Sequence, residues 1–191
     1  FGQDAEGIRQ LAEYGVVFLM FVIRLEFNLP QLRAMRRLRE RMMERYPRQS
    51  HDASWLRRKG IEVALAESGG DPALADAAYD AFFVERNKVD FYADAPAALA
   101  RIAARLPVCA VSNGNADLGA IGIDRHFAHR ITAREFGAGK PDAAIFHHAC
   151  ERLGVAPAEV LHVGDDVEAD IAGAHRAGLR VDHRQLRRRA P

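Results

Sequence analysis

The chain has little cysteine, no excess of charge and no long hydrophobic run, and each shortage removes a class of protein. Its two cysteines, Cys109 and Cys150, lie in apolar or helical contexts without metal-ligand spacing. That argues against a disulfide-stapled secreted domain and against a thiolate metal site, and leads us to expect reduced, buried thiols in a cytoplasmic protein. Basic residues number 27 against 26 acidic ones, a formal charge of +1, so no global field draws the chain to nucleic acid or to an anionic membrane. Long hydrophobic runs are missing too. The longest, Val16 to Ile23, falls far short of the roughly 20 residues that a crossing helix needs. Acidic residues precede that run and no small-residue cleavage site follows it, unlike a secretory signal.

What is present is 191 residues, 49% of them apolar, enough for one core and a small annex. Three zones can be separated, with a basic tail over 183–191. In the first, 1–27, the run opened by Gly15 is rich in β-branched and aromatic residues and fits a strand buried on both faces over 16–23, with a short buried helix as the alternative. The second zone, 28–90, is helical in pattern. Leu32, Met35, Leu38 and Met42 recur at helical spacing and Pro47 closes the first helix. A second helix is predicted from Ser54 to Glu67, and Asp71-Pro72 opens a third that reaches Arg86. Arginines 33, 36, 37, 39, 41 and 45 crowd the first helix, but Glu40 and Glu44 interleave, which favours a solvated face over a nucleic-acid contact. His51, Asp52 and Trp55 lie near a helix start; a capping Asp52 or Ser54 with a buried Trp55 is the plainer reading than a group reaching a cleft.

The third zone, 91–182, alternates strands with helices. Strands are predicted at Val108–Val111, His129–Thr132, Val160–Val163 and Leu179–Val181, and helices at Ala95–Leu106, Ala143–Leu153 and Glu168–Ala177. Such alternation implies a parallel sheet with right-handed crossovers, whose ligands bind beyond the carboxyl ends of the strands. Two polar clusters fall there, and a lysine loop lies between them in sequence. Ser112-Asn113-Gly114 ends a strand, where a hydroxyl and backbone N–H groups can hold a phosphate oxygen, although Asn-Gly is also a common tight turn. Lys140, in Gly137-Ala138-Gly139-Lys140-Pro141-Asp142, can neutralise a phosphate and a carboxylate together, although a loop lysine is usually just solvated. Asp165, Asp166 and Asp170 gather three carboxylates at a strand-to-helix junction, which suits a cation. Oxygen ligands of this kind suit Mg2+; helix-capping acids explain part of the same cluster.

Taken in order, Ser-Asn-Gly, Gly-Lys-Pro-Asp and Gly-Asp-Asp with a later Asp resemble the second, third and fourth motifs of the haloacid dehalogenase (HAD) superfamily, from about Asn28 to Leu179. The type resembled is the magnesium-dependent phosphatase with a small helical cap. The resemblance implies an α/β fold, a Rossmann-like parallel sheet with helices on both faces, plus an all-helical cap. It also implies a small phosphorylated molecule as substrate, Ser112, Asn113 and Gly114 at the phosphoryl group, Lys140 as the catalytic cation, and Asp165, Asp166 and Asp170 at Mg2+, Asp170 as ligand or support. The acidic pair favours a phosphatase over a metal-free 2-haloacid dehalogenase. The family's first motif, Asp-x-Asp after the first strand, has no counterpart: Val16–Ile23 is followed by Arg24-Leu25-Glu26. A guanidinium stays protonated and cannot attack phosphorus. The sequence therefore leaves open a non-catalytic ligand- or partner-binding protein on the same fold, or an altered N-terminal reading such as a frameshift. It sets no oligomeric state.

Overall fold

The computed structural model describes residues 29–181. The expected strand at 16–23, the tripeptide Arg24-Leu25-Glu26 and the basic tail at 183–191 lie outside the described residues. Those described form two compact units. One takes in the chain up to Pro96 together with Ala116–Ile123, and the other takes in Ala97–Asn115 with the chain from Asp124. The segment 116–123, assigned from sequence to the third zone, thus packs with the helical unit.

The helical unit contains α1 (Leu29–Arg45), α2 (Ala53–Glu67), α3 (Ala75–Arg86) and the short α5 (Leu118–Ile121). Its packing follows the periodic positions: Met42, Leu56, Leu65 and Tyr79 are buried, and Gly60 lets Leu38 and Met42 of α1 lie directly on α2. Asp52 caps α2 by accepting from the Trp55 N–H at 2.9 Å, the role expected of an aspartate just ahead of an apolar-periodic run. Ser54 is buried and its Oγ accepts from the Tyr79 hydroxyl at 2.8 Å, tying α2 to α3. Trp55, expected to be buried, is half-buried and stands edge-on to Tyr46. The arginines described on α1 face outward, with Arg36 paired to Glu40 and Arg41 to Glu67.

The second unit carries the sheet and is α/β and Rossmann-like. Strand β1 (Cys109–Ser112) runs parallel to β2 (His129–Thr132), with Ser112 opposite Thr132; β3 (Leu161–His162) runs parallel to β4 (Arg180–Val181). One sheet was expected, and among the described residues the strands form these two parallel pairs. Helix α4 (Ala95–Ala103) precedes β1, α6 (Ala133–Phe136) follows β2, and α7 (Ala143–Leu153) packs on β1 and β2. Helix α7 is set by its ends: Asp142 accepts from the Ala144 N–H, and Gly154 closes the helix with a φ of 69° that a side chain would disfavour. Ile145 and Phe146 on its inner face are fully enclosed by Ile131, Ala174 and Leu179. Each such side chain stabilises the unit by about 1.5–3 kcal/mol.

The helix predicted over Glu168–Ala177 departs from the regular form. It begins as a wide, π-type turn over Val167–Ala172 and becomes α8 only at Gly173–Arg176. The Asp166 carbonyl accepts from both Asp170 N–H and Ile171 N–H, which widens the turn. Widened turns of this kind recur at functional sites. Here the turn carries Asp170, whose side chain is turned into the unit.

Candidate active site

The site is assembled from three loops of the second unit. At the end of β1 the Ser112 Oγ accepts from the Gly114 N–H at 2.9 Å. A hydroxyl has one donor beside its acceptor lone pairs, so Ser112 keeps its O–H proton to give to a ligand. Asn113 is used otherwise. Its Nδ2 donates to the Lys140 carbonyl at 2.6 Å and its Oδ1 accepts from the Lys140 N–H at 2.7 Å. This pair of hydrogen bonds clamps the lysine loop to the β1 corner. It requires Gly139, because a Cβ there would stand 2.8 Å from the Asn113 Oδ1. The clamp uses the amide oxygen and one of the two amide N–H donors of Asn113, which leaves its second amide N–H and its backbone N–H as candidates for a phosphoryl oxygen.

Lys140 reaches inward. Its Nζ donates to Asp170 Oδ1 at 2.5 Å, and the two side chains are only 12% and 7% exposed. His162 Nε2 stands 3.0 Å from the same oxygen, and the Asp166 N–H donates to Asp170 Oδ2 at 3.1 Å. Burial alone would push the Asp170 carboxyl up, but the hydrogen bonds from Lys140, His162 and the Asp166 backbone outweigh it and hold the group below the usual carboxylate range. An ionised carboxylate only accepts, so His162 is the donor and carries its proton on Nε2. Gly164 makes this contact possible: a Cβ on it would fall 2.2 Å from the Asp170 Cγ.

The three aspartates therefore divide. Asp170, grouped by sequence with the metal residues, has both oxygens committed to N–H donors, and the cation beside it is the Lys140 ammonium. Asp166 is exposed, and its Oδ1 accepts from the Glu168 and Ala169 N–H groups at 3.0 and 2.8 Å, capping the wide turn. Asp165, next to it, is also exposed. Among the described residues no group of three or more His, Cys, Asp or Glu side chains converges as a metal site. The donors present, two adjacent solvent-facing carboxylates, fit an ion that takes one or two carboxylates and completes its octahedron with water and phosphate. Sequence reasoning missed His162 and the clamping role of Asn113. The signal for His162 was there: a lone polar residue inside the apolar strand that leads to the acidic corner.

The model of the haloacid dehalogenase-like hydrolase family matches residues 7–178. The chain belongs to this family. The match starts earlier than the motif likeness at about Asn28 and takes in the run Val16–Ile23. Among curated relatives, the chain is 31% identical over 77% of its length to the 5-amino-6-(5-phospho-D-ribitylamino)uracil phosphatase YigB of Escherichia coli, spanning 63% of that protein. It is 38% identical over 68% of its length to the phosphoserine phosphatase of Thermus thermophilus, spanning 55% of it. The chain thus spans less than two thirds of either relative. Among solved structures, a 2-haloacid dehalogenase from Pseudomonas syringae superposes with a TM-score of 0.72 at 30% identity, covering 94% of this chain and 76% of that one.

Proposed function

We propose that the second unit carries a phosphate-monoester site of the HAD type, and that the reaction class it serves is magnesium-dependent hydrolysis of a small phosphorylated metabolite. The observation that carries this reading is the Lys140 ammonium, fixed between the Asn113 clamp and the buried Asp170 carboxylate beside the donor corner at Ser112. A cation and N–H and O–H donors gathered at the carboxyl ends of parallel strands suit a dianionic phosphoryl group. The curated relatives named above are phosphatases acting on phosphorylated small molecules, which supports the same class.

In this reading the Ser112 O–H and the Asn113 backbone N–H orient the phosphoryl oxygens, and Lys140 neutralises the charge that builds on them. Asp165 and Asp166 hold Mg2+, which when bound supplies charge stabilisation at the phosphoryl group. Asp170 keeps Lys140 in place and does not act as nucleophile, since both its oxygens are already engaged. The nucleophile of the family belongs to its first motif; if Val16–Ile23 is the first strand, Arg24-Leu25-Glu26 stands in that place. The turnover of this chain is therefore set by whichever group serves in that place.

A second reading, 2-haloacid dehalogenase, draws support from the Pseudomonas syringae structure; the acidic pair Asp165-Asp166 speaks for the phosphatase. Hydrolysis of p-nitrophenyl phosphate with and without Mg2+, run beside chloride release from a 2-haloacid, separates them. Mg2+-dependent phosphate release that disappears in Asp166→Asn and Lys140→Met supports the phosphatase. Mg2+-dependent phosphate binding without release reduces the chain to a phosphoryl-binding member of the family. Chloride release without metal overturns the reading.

A further inference from the structure

We propose that His162 is a positioning residue: through Asp170 it anchors the Lys140 ammonium to the hydrophobic core. The inference deepens the phosphatase reading and rests on it only for the statement that Lys140 faces a phosphoryl group.

The three donors on Asp170 are not equivalent. Lys140 approaches at 2.5 Å on a long side chain from a loop, and the Asp166 N–H comes from an exposed turn at 3.1 Å. The Lys140 backbone is clamped by Asn113, but its ammonium stands at the end of a long side chain; His162 is short and mounted on a strand. It lies on β3, paired with Val181 of β4. Its ring meets the fully buried Phe146 edge-on, with centroids 5.1 Å apart and an interplanar angle of 88°. Its side chain is 12% exposed, and its Nε2 lies 3.0 Å from the Oδ1 that Lys140 also uses. A carboxylate held by Lys140 and Asp166 alone would be mounted on two loops. With His162 its position is referred to the core, and the ammonium follows it.

Two roles must be told apart, donation to Asp170 and packing on Phe146, and they rank substitutions in opposite order. Glutamine keeps an N–H donor at a similar reach and loses the ring; phenylalanine keeps the ring and loses the donor. The readout is the acetylation rate of Lys140 at neutral pH, followed by mass spectrometry of the intact chain's peptides and referenced to Lys88, whose side chain is 65% exposed. Losing one hydrogen bond to a charged group corresponds to a factor of about ten or more. His162→Phe is expected to accelerate Lys140 labelling by about that factor, and His162→Gln to keep Lys140 close to the parent rate. Equal rates in parent and His162→Phe, or faster labelling in His162→Gln than in His162→Phe, would overturn the proposal.

A nitrogen-15 spectrum of the unsubstituted chain gives a test that needs no variant to fold. His162 is expected to carry a proton on Nε2; a ring whose only proton sits on Nδ1 would remove the donor and the proposal with it. Neither measurement uses turnover, so a chain that hydrolyses nothing would count against the phosphatase reading and leave the anchoring role to be judged on its own result.

Discussion

At the scale of single residues, the account turns on one buried ion pair. Lys140 and Asp170 are 12% and 7% exposed, too enclosed for the small energies of surface pairs, and removing one partner leaves the other charge without its mate. Such a break costs about 3–5 kcal/mol in comparable sites. We predict that Lys140→Met lowers the urea midpoint of the second unit by a corresponding margin and that Lys140→Met with Asp170→Leu recovers part of it. A double-mutant cycle by equilibrium unfolding measures the coupling, and strict additivity would contradict it.

The same carboxylate sets a pH dependence. Asp170 lies below the usual carboxylate range when folded, so its contribution is fully present above its unfolded pKa of about 3.9 and is lost as pH falls through the lower folded value. The unsubstituted chain should therefore lose more stability than Asp170→Asn on acidification below about pH 4. Parallel losses, followed by denaturant titration at stepped pH, would argue against an ionised, paired Asp170.

At the scale of elements, much of the architecture was legible and the exceptions have physical causes. Helix α7 runs from Ala143 to Leu153 as expected, because Asp142 and Gly154 mark both ends chemically. The strand His129–Thr132 also falls where the pattern placed it. The helix expected after Asp166 opens as a wide turn carrying Asp170, whose partner Lys140 lies 30 positions away, and no local pattern announces that contact. The role of Asn113 was hidden for the same reason, as its partner lies 27 positions along the chain. For Asp166 the capping reading is the one observed: its Oδ1 caps the turn while the side chain stays exposed. Asp166→Ser keeps a capping oxygen, so it should preserve stability to within a few tenths of a kcal/mol, while Asp166→Ala costs about 1 kcal/mol. Both should lose Mg2+ affinity. Thermal unfolding with and without Mg2+ separates the two effects, and an unchanged Mg2+ response in Asp166→Ser would remove it from the metal site.

Gly164 tests the corner itself. A methyl group there would lie 2.2 Å from the Asp170 Cγ, and overpacking of this kind typically costs about 1–3 kcal/mol. Gly164→Ala should thus be destabilised and should also expose Lys140 to acetylation. A variant with parent stability and a protected lysine would mean that the close approach is dispensable.

At the scale of the whole molecule, family and fold agree: a haloacid dehalogenase-like hydrolase whose described residues pair a helical unit with a Rossmann-like one. Fold and family were legible because three motifs stand in a fixed order, two of them at strand ends, and strand ends are where α/β sheets bind ligands. The reaction is less legible. The family includes phosphatases and dehalogenases on one scaffold, as the relatives of this chain themselves do, and the difference lies in a few side chains. Under the proposed reading, the pair Asp165 and Asp166 is what marks the phosphatase.

The central claim is that Ser112, Lys140 and the Asp165-Asp166 pair form a phosphoryl site that works with Mg2+. Calorimetric titration of inorganic phosphate into the chain, with and without Mg2+, tests it most directly because it needs no nucleophile. The account predicts Mg2+-dependent binding that weakens by about ten-fold or more in Lys140→Met, where one charged partner is lost, and that loses its Mg2+ dependence in Asp165→Asn. Phosphate binding that ignores both Mg2+ and these substitutions, or no binding at all, would contradict it.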